Sequence, residues 1–142
     1  MRASLVGRKR ERVMLENFEK TILVIESNQR DLRLCRDLLE LRGFNVLEAI
    51  DGIEGVGLAR IHKPNLILMD VNLPKISGED ALNILHHKPE TRRIPVIAFT
   101  GFAMKGDRER FLNIGFDGYI AKPVDTRKFV PEVENYLGQS KK

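Results

Sequence analysis

Four apolar runs in this 142-residue chain lead directly into side chains able to do chemistry. Glu26 and Ser27 follow TILVI, Asp70 follows LILM, Thr100 ends IPVIAFT, and Lys122 follows GYIA. Two carboxylates, with backbone carbonyls, offer the oxygen ligands that suit Mg2+, an ion that keeps several waters and favours a partner phosphate. An ammonium and a hydroxyl suit the oxygens of a phosphoryl group. A carboxylate can also be the nucleophile that takes a phosphoryl group as an aspartyl-phosphate. Such transfer needs mainly positioning and charge neutralisation. Asp70, on the central apolar run, is the best-placed acceptor. The plainer alternative is that Asp70 caps a turn before Pro74, a common use of aspartate.

These residues need elements to bring them together. The run 66–69, bounded by Pro64 and Pro74, reads as a strand buried on both faces, as in parallel sheets. A carboxylate at its end is costly to desolvate without a partner. Before it, strand 21–25 is followed by a helix over 29–42, with Leu32, Cys35, Leu38 and Leu39 as its buried stripe and Gly43 as its stop. Strand 44–49 and a helix to His62, carrying Ile53, Val56 and Ala59, come next. After the central strand, a loop from Pro74 to Gly78 leads to a helix over 79–87. Strand 94–100 tolerates Pro95 near its start. A helix starting at Lys105 and ending at Ile114 precedes strand 118–121, and the last helix, 125–137, rests on Phe129, Val130, Val133 and Leu137. Cys35 belongs to the core. His86 and His87 are adjacent on a helix, point about a hundred degrees apart, and cannot share one ion; an exposed helix end is expected there.

Five β-α units imply an α/β fold with a parallel sheet and helices on both faces. Right-handed crossovers put the strand C-termini on one edge, where open α/β sheets bind ligands. That edge collects Glu26, Ser27, Asp70, Thr100 and Lys122.

The composition, 42% hydrophobic and 31% charged, is ordinary for one globular domain. The net charge of +4 is uneven: residues 1–20 hold six basic and three acidic residues, against 18 and 17 in the remainder. The chain therefore divides into a basic, solvated arm (1–20), a near-neutral domain (21–138) and a polar tail (139–142). Nucleic-acid binding gets no electrostatic support from the domain. No apolar run is long enough to span a bilayer, and one cysteine fits a reducing cytoplasm. No GxxxxGK phosphate loop is present, and Ser27-Asn28-Gln29 is a poor phosphate loop for a flavin.

The motifs ILVIESN, LILMDVNLPKISG, IPVIAFTGFAMKGD and GYIAKPVD, in this order, resemble the receiver domain of bacterial two-component response regulators over residues 21–137. The resemblance implies the CheY-like, flavodoxin-like (βα)5 fold, doubly wound, with strand order 2-1-3-4-5. It implies a signalling domain, not an enzyme, that accepts a phosphoryl group from a sensor histidine kinase or a histidine phosphotransfer protein. Asp70 matches the phosphoacceptor, Thr100 and Lys122 the phosphoryl-binding residues, and Thr100 with Tyr119 the switch. Glu26, Asp70 and the Asn72 backbone carbonyl match the Mg2+ ligands, and the Lys122–Pro123 bond is expected to be cis. Asn72 stands where a haloacid-dehalogenase-type phosphatase wants a second aspartate. Gly101 matches the small residue at the site entrance. Output would pass through a downstream protein docked near the helix from Lys105 to Ile114, Tyr119 and the last helix, since no output domain follows Leu137. One departure stands out: Ser27 occupies the position of a metal-binding aspartate. Weakened Mg2+ binding and slower phosphorylation are expected, with Glu26 reaching further to compensate. The alternative is a pseudo-receiver that binds partners without phosphorylation. Phe102 is expected to shield the acyl phosphate from water.

Overall fold

A computed structural model of the chain describes residues 11–12, 16–101 and 106–139. Its elements are β1 (Thr21–Ile25), α1 (Gln29–Leu41), β2 (Asn45–Ala49), α2 (Gly52–His62), β3 (Leu66–Asp70), α3 (Gly78–His87), β4 (Val96–Thr100), α4 (Asp107–Ile114), β5 (Gly118–Ala121) and α5 (Phe129–Leu137). The strands pair in the order β2-β1-β3-β4-β5, all parallel. This is the doubly wound fold expected from the alternation of elements.

Period-two alternation along the strands builds two cores. Ile22, Val24, Leu66, Leu68, Ile97 and Phe99 face α1 and α5, where Leu32, Cys35, Phe129 and Val133 complete the cluster. Leu23, Ile25, Ile67, Met69, Val96 and Ala98 face the other way, onto Ala59, Leu82, Leu85 and Phe111 of α2, α3 and α4. Strands β3 and β4 are buried at every position, whereas the edge strand β2 is half-exposed. The central strands are therefore held from both faces, which sets the height of the strand ends that carry the polar residues.

Three helices start on side-chain caps: Asn28, Asp51 and Ser77 each accept the backbone N–H three residues on. Each cap satisfies one of the orphan donors of the first turn. Asn28 does so one residue after the exposed Ser27, which fixes how α1 leaves the strand edge.

Several boundaries differ from the sequence reading. The last helix starts at Phe129, not at 125, because the Asp125 carboxylate accepts from Arg127 N–H and closes a local turn. Pro131 is then the third helical residue, where its missing N–H costs no intrahelical bond. Strand β4 starts at Val96; Pro95 has no N–H for the ladder, although its carbonyl accepts from Ile67 N–H at 2.9 Å. Helix α4 starts at Asp107, and Lys105 and Phe102 lie outside the described residues. His87 is exposed as expected, but His86 is half-buried, against Gly115. The solvated reading of the arm does not hold for residue 17. Asn17 is buried, and its side chain donates to Arg42 O and Glu134 Oε2, each at 3.1 Å.

Candidate functional site

Register sets the level of each strand end. Ile25 pairs with Met69, so Glu26 stands one step past β1, level with Asp70. Asp70 pairs with Phe99, and Thr100 with Ala121, so Thr100 and then Lys122 follow one step further across the edge. Lys122 N–H donates to Thr100 O at 2.8 Å, which ties the two strand ends together. The Lys122–Pro123 bond is cis.

The Lys122 ammonium is the centre of the arrangement. It pairs with Glu26 Oε1, lies 3.2 Å from Asp70 Oδ2, and lies 3.4 Å from Asp31 Oδ2. It also sits 4.8 Å from the centroid of the Phe99 ring. The carboxylates are held from behind by backbone amides: Asn72 N–H donates to Asp70 Oδ1 and Asn28 N–H to Glu26 Oε2, both at 3.0 Å. Amide donors stabilise charged oxygens and fix their direction. The Glu26 side chain is wholly buried, whereas those of Asp70 and Asp31 retain 11% and 28% of their exposure. Accessibility thus rises from Glu26 at the floor to Asp31 at the rim.

Burial pushes the Glu26 carboxyl above its ordinary value, although the Lys122 ammonium and the Asn28 amide pull the other way. Burial would lower the Lys122 ammonium, but its hydrogen bond to Glu26 and the charges of Asp70 and Glu26 outweigh that and raise it. The cluster is therefore a buried ionic network in which each charge depends on the others.

The remaining predicted residues lie as follows. Thr100 is buried at the end of β4, and Ser27 is exposed beside Glu26. The Asn72 side chain region is exposed on the loop after β3. Tyr119 lies further out, stacked on Phe111 at a centroid distance of 5.9 Å. The Tyr136 hydroxyl accepts from Tyr119 N–H at 3.1 Å and donates to Tyr119 O at 3.2 Å, pinning β5 to α5. A Cβ at Gly101 would meet the Lys122 Cβ at 4.0 Å, an ordinary contact, so packing makes no demand for glycine there. Gly78 is different. A Cβ there would stand 2.6 Å from Asp70 O and 2.8 Å from Val71 Cα, so the start of α3 presses on the backbone that carries Asp70.

Asp31 and Tyr136 join the site although neither closes a strand. The signal for Asp31 was present: a helix capped by Asn28 places the residue three positions on in the first turn, beside the strand end.

The donor set is all oxygen and fits a hard divalent cation better than a soft one. With the ammonium among the carboxylates, no three metal-ligating side chains among the described residues are set to hold an ion by themselves. Water and backbone carbonyl ligands would have to complete the shell, which is how Mg2+ is commonly bound. No helix among the described residues is long and apolar enough to cross a membrane.

The family model for the response regulator receiver domain matches residues 22–134. Polar-differentiation response regulators named DivK, from Brucella anthropi and Brucella ovis, are each 42% identical over 121 residues, covering 85% of this chain and 98% of theirs. Among solved structures, the receiver domain of a Pseudomonas aeruginosa sensor histidine kinase, with a magnesium ion coordinated in its active-site cleft, is 32% identical. It has a TM-score of 0.77 and covers 84% of this chain and 98% of that one. The Vibrio cholerae chemotaxis response regulator CheY4, at 18% identity and TM-score 0.77, shares the fold over 82% of this chain and 98% of its own.

Proposed function

The chain belongs to the response regulator receiver domain family, and from that premise we propose that it is a phosphorylation switch with Asp70 as the phosphoacceptor. The observation that carries the reading is the meeting of Asp70 Oδ2 and Glu26, at the ends of the neighbouring strands β3 and β1, with Lys122, which follows β5 and reaches across the end of β4. In the transfer, an Asp70 oxygen forms a bond to phosphorus while the P–N bond of a donor phosphohistidine breaks, and the imidazole leaves to take up a proton. The donor is a sensor histidine kinase or a histidine phosphotransfer protein. Mg2+, when bound by Glu26, Asp70 and the Asn72 carbonyl, supplies charge neutralisation of the phosphoryl oxygens. Lys122, already 3.2 Å from Asp70, supplies the protein's own positive charge there. Thr100 offers a hydroxyl at the next strand end.

Output follows from the same edge. A phosphoryl group on Asp70 draws Lys122 and Thr100 toward it, and Tyr119 responds by leaving its stack on Phe111. An aromatic pair of this kind is worth about 0.5–1.5 kcal/mol, well within reach of a ligand-driven shift of a few kcal/mol. The face that changes is a shallow groove lined by Arg108, Tyr119, Ala121, Glu132, Asn135 and Tyr136. It is the docking face for a downstream protein. The switching unit spans 21–138, with Asn17 packed against it through Arg42 and Glu134, and a cytoplasmic setting suits its donor.

One observation favours a second reading. Ser27 brings a neutral, exposed hydroxyl to the metal side of the cluster, so Mg2+ is held weakly and, in the extreme, the domain binds partners unphosphorylated. Intact mass after incubation with a phosphorylated kinase domain and Mg2+, beside Asp70→Asn, separates the two. One added phosphoryl group on the wild type alone is expected. No addition with several donors at high Mg2+, but addition to Ser27→Asp, would establish the pseudo-receiver.

A further inference from the structure

We propose that Asp31 is the third carboxylate of the cation site and raises its affinity for Mg2+ by acting from the rim, through metal-bound water. The inference rests on the reading of Asp70 as a Mg2+-assisted phosphoacceptor and adds a residue from a different element. Asp31 Oδ2 lies 3.4 Å from Lys122 Nζ, the same ammonium that contacts Glu26 and Asp70. Its placement is built in: the Asn28 side chain accepts from Asp31 N–H at 3.0 Å and sets the first turn of α1 against the strand edge.

Charge shows what Asp31 adds. Glu26 and Asp70 against Lys122 leave one negative charge at the site, which only half-matches a divalent ion. With Asp31 the excess is two, equal and opposite to one Mg2+. Ser27 contributes no charge. Direct Mg2+–oxygen bonds are about 2.0–2.1 Å. Asp31 stands at the solvent mouth, with 28% of its side chain exposed, where a bound ion would keep its waters. A carboxylate there acts through those waters, and such outer partners commonly change metal affinity about 10- to 100-fold.

The test is an amide-resolved NMR titration of the unphosphorylated full chain with MgCl2 at constant ionic strength, which needs neither kinase nor turnover. Asp31→Asn is expected to weaken Mg2+ binding about tenfold or more. Asp37→Asn, the same charge change on the exposed part of the same helix, is expected to leave it unchanged. Ser27→Asp added to Asp31→Asn is expected to restore affinity, because it returns a carboxylate next to Glu26. Ser27→Asp should raise affinity in either background, so its gain shows that Asp31→Asn keeps a folded site, and the comparison of Asp31→Asn with Asp37→Asn carries the test. Asp31→Asn within twofold of wild type, or Asp37→Asn weakening binding equally, overturns the inference and leaves the phosphoacceptor reading standing. Absence of Mg2+ binding by the wild type at any concentration removes both.

Discussion

Removing Lys122 gives the strongest test of how the strand-edge cluster is held together. Glu26 is wholly buried, and the ammonium of Lys122 is the cation paired with its Oε1. In Lys122→Met, Glu26 must either stay charged in the interior or take up a proton. Protonation sets the upper limit on the cost, about 1.4 kcal/mol for each pH unit above the ordinary carboxyl value. From the ordinary glutamate value of 4.5, that limit is about 4 kcal/mol at pH 7.5 and about 1.4 kcal/mol at pH 5.5. The sign follows from linkage. A carboxyl whose folded pKa is raised binds more protons folded than unfolded, so stability falls as pH rises from the unfolded value through the folded one. Lys122 itself, raised from 10.5, stays charged throughout this range and adds no slope. Burial already raises Glu26 in the wild type, so the observed difference must stay below the limit; we expect about 3 kcal/mol at pH 7.5, shrinking toward pH 5.5. Urea denaturation of wild type and Lys122→Met across that range, without Mg2+, measures it. Adding Glu26→Gln should recover most of the loss at pH 7.5, because the wholly buried carboxylate is then gone, while Asp70 keeps some exposure and the Asn72 amide. A loss that does not vary with pH, or a Lys122→Met protein as stable as wild type at pH 7.5, would refute the account of Glu26 as dependent on that ammonium.

Gly78→Ala is expected to lower stability by about 1–3 kcal/mol, the usual range for an overpacked position, and to slow phosphoryl uptake at Asp70 more than a distant variant of equal stability does. Denaturation beside the rate of phosphorylation tests this, and unchanged uptake would show that the Asp70 backbone tolerates the displacement. Cys35, buried and pushed up to about 12 chiefly by desolvation, should react with a thiol reagent only as fast as the protein opens. Because its folded pKa is raised, its contribution to stability is present below pH 9.0 and is lost as pH rises toward 12; the difference between wild type and Cys35→Ala in alkaline denaturation reads this directly.

Much of this protein is local and therefore legible along the chain. The apolar runs that became β1, β3 and β4, and the polar residue closing each of them, follow from short-range rules of periodicity, whereas the caps at Asn28 and Asp51 emerge only in the structure. Helix ends were less legible. Asp125 reads as a helix start in isolation, and only its competing bond to Arg127 N–H moves that start to Phe129. Asn17 reads as part of a charged arm, yet it is buried because Arg42 and Glu134, far away in sequence, offer it partners.

By itself, the sequence determined the five β-α units, the faces of each strand and the polar set at the sheet edge, because sheet pleat and helix pitch turn spacing into direction. Tertiary structure decided which of those groups touch. Glu26, Asp31, Asp70 and Lys122 meet around one ammonium only because β1 lies beside β3 and α1 leaves that edge at the angle set by its cap. Tyr119 rests on Phe111, rather than elsewhere, because β5 packs beside α4. Such contacts depend on distances of a few ångströms between residues separated by up to about a hundred positions, and no periodicity along the chain encodes them.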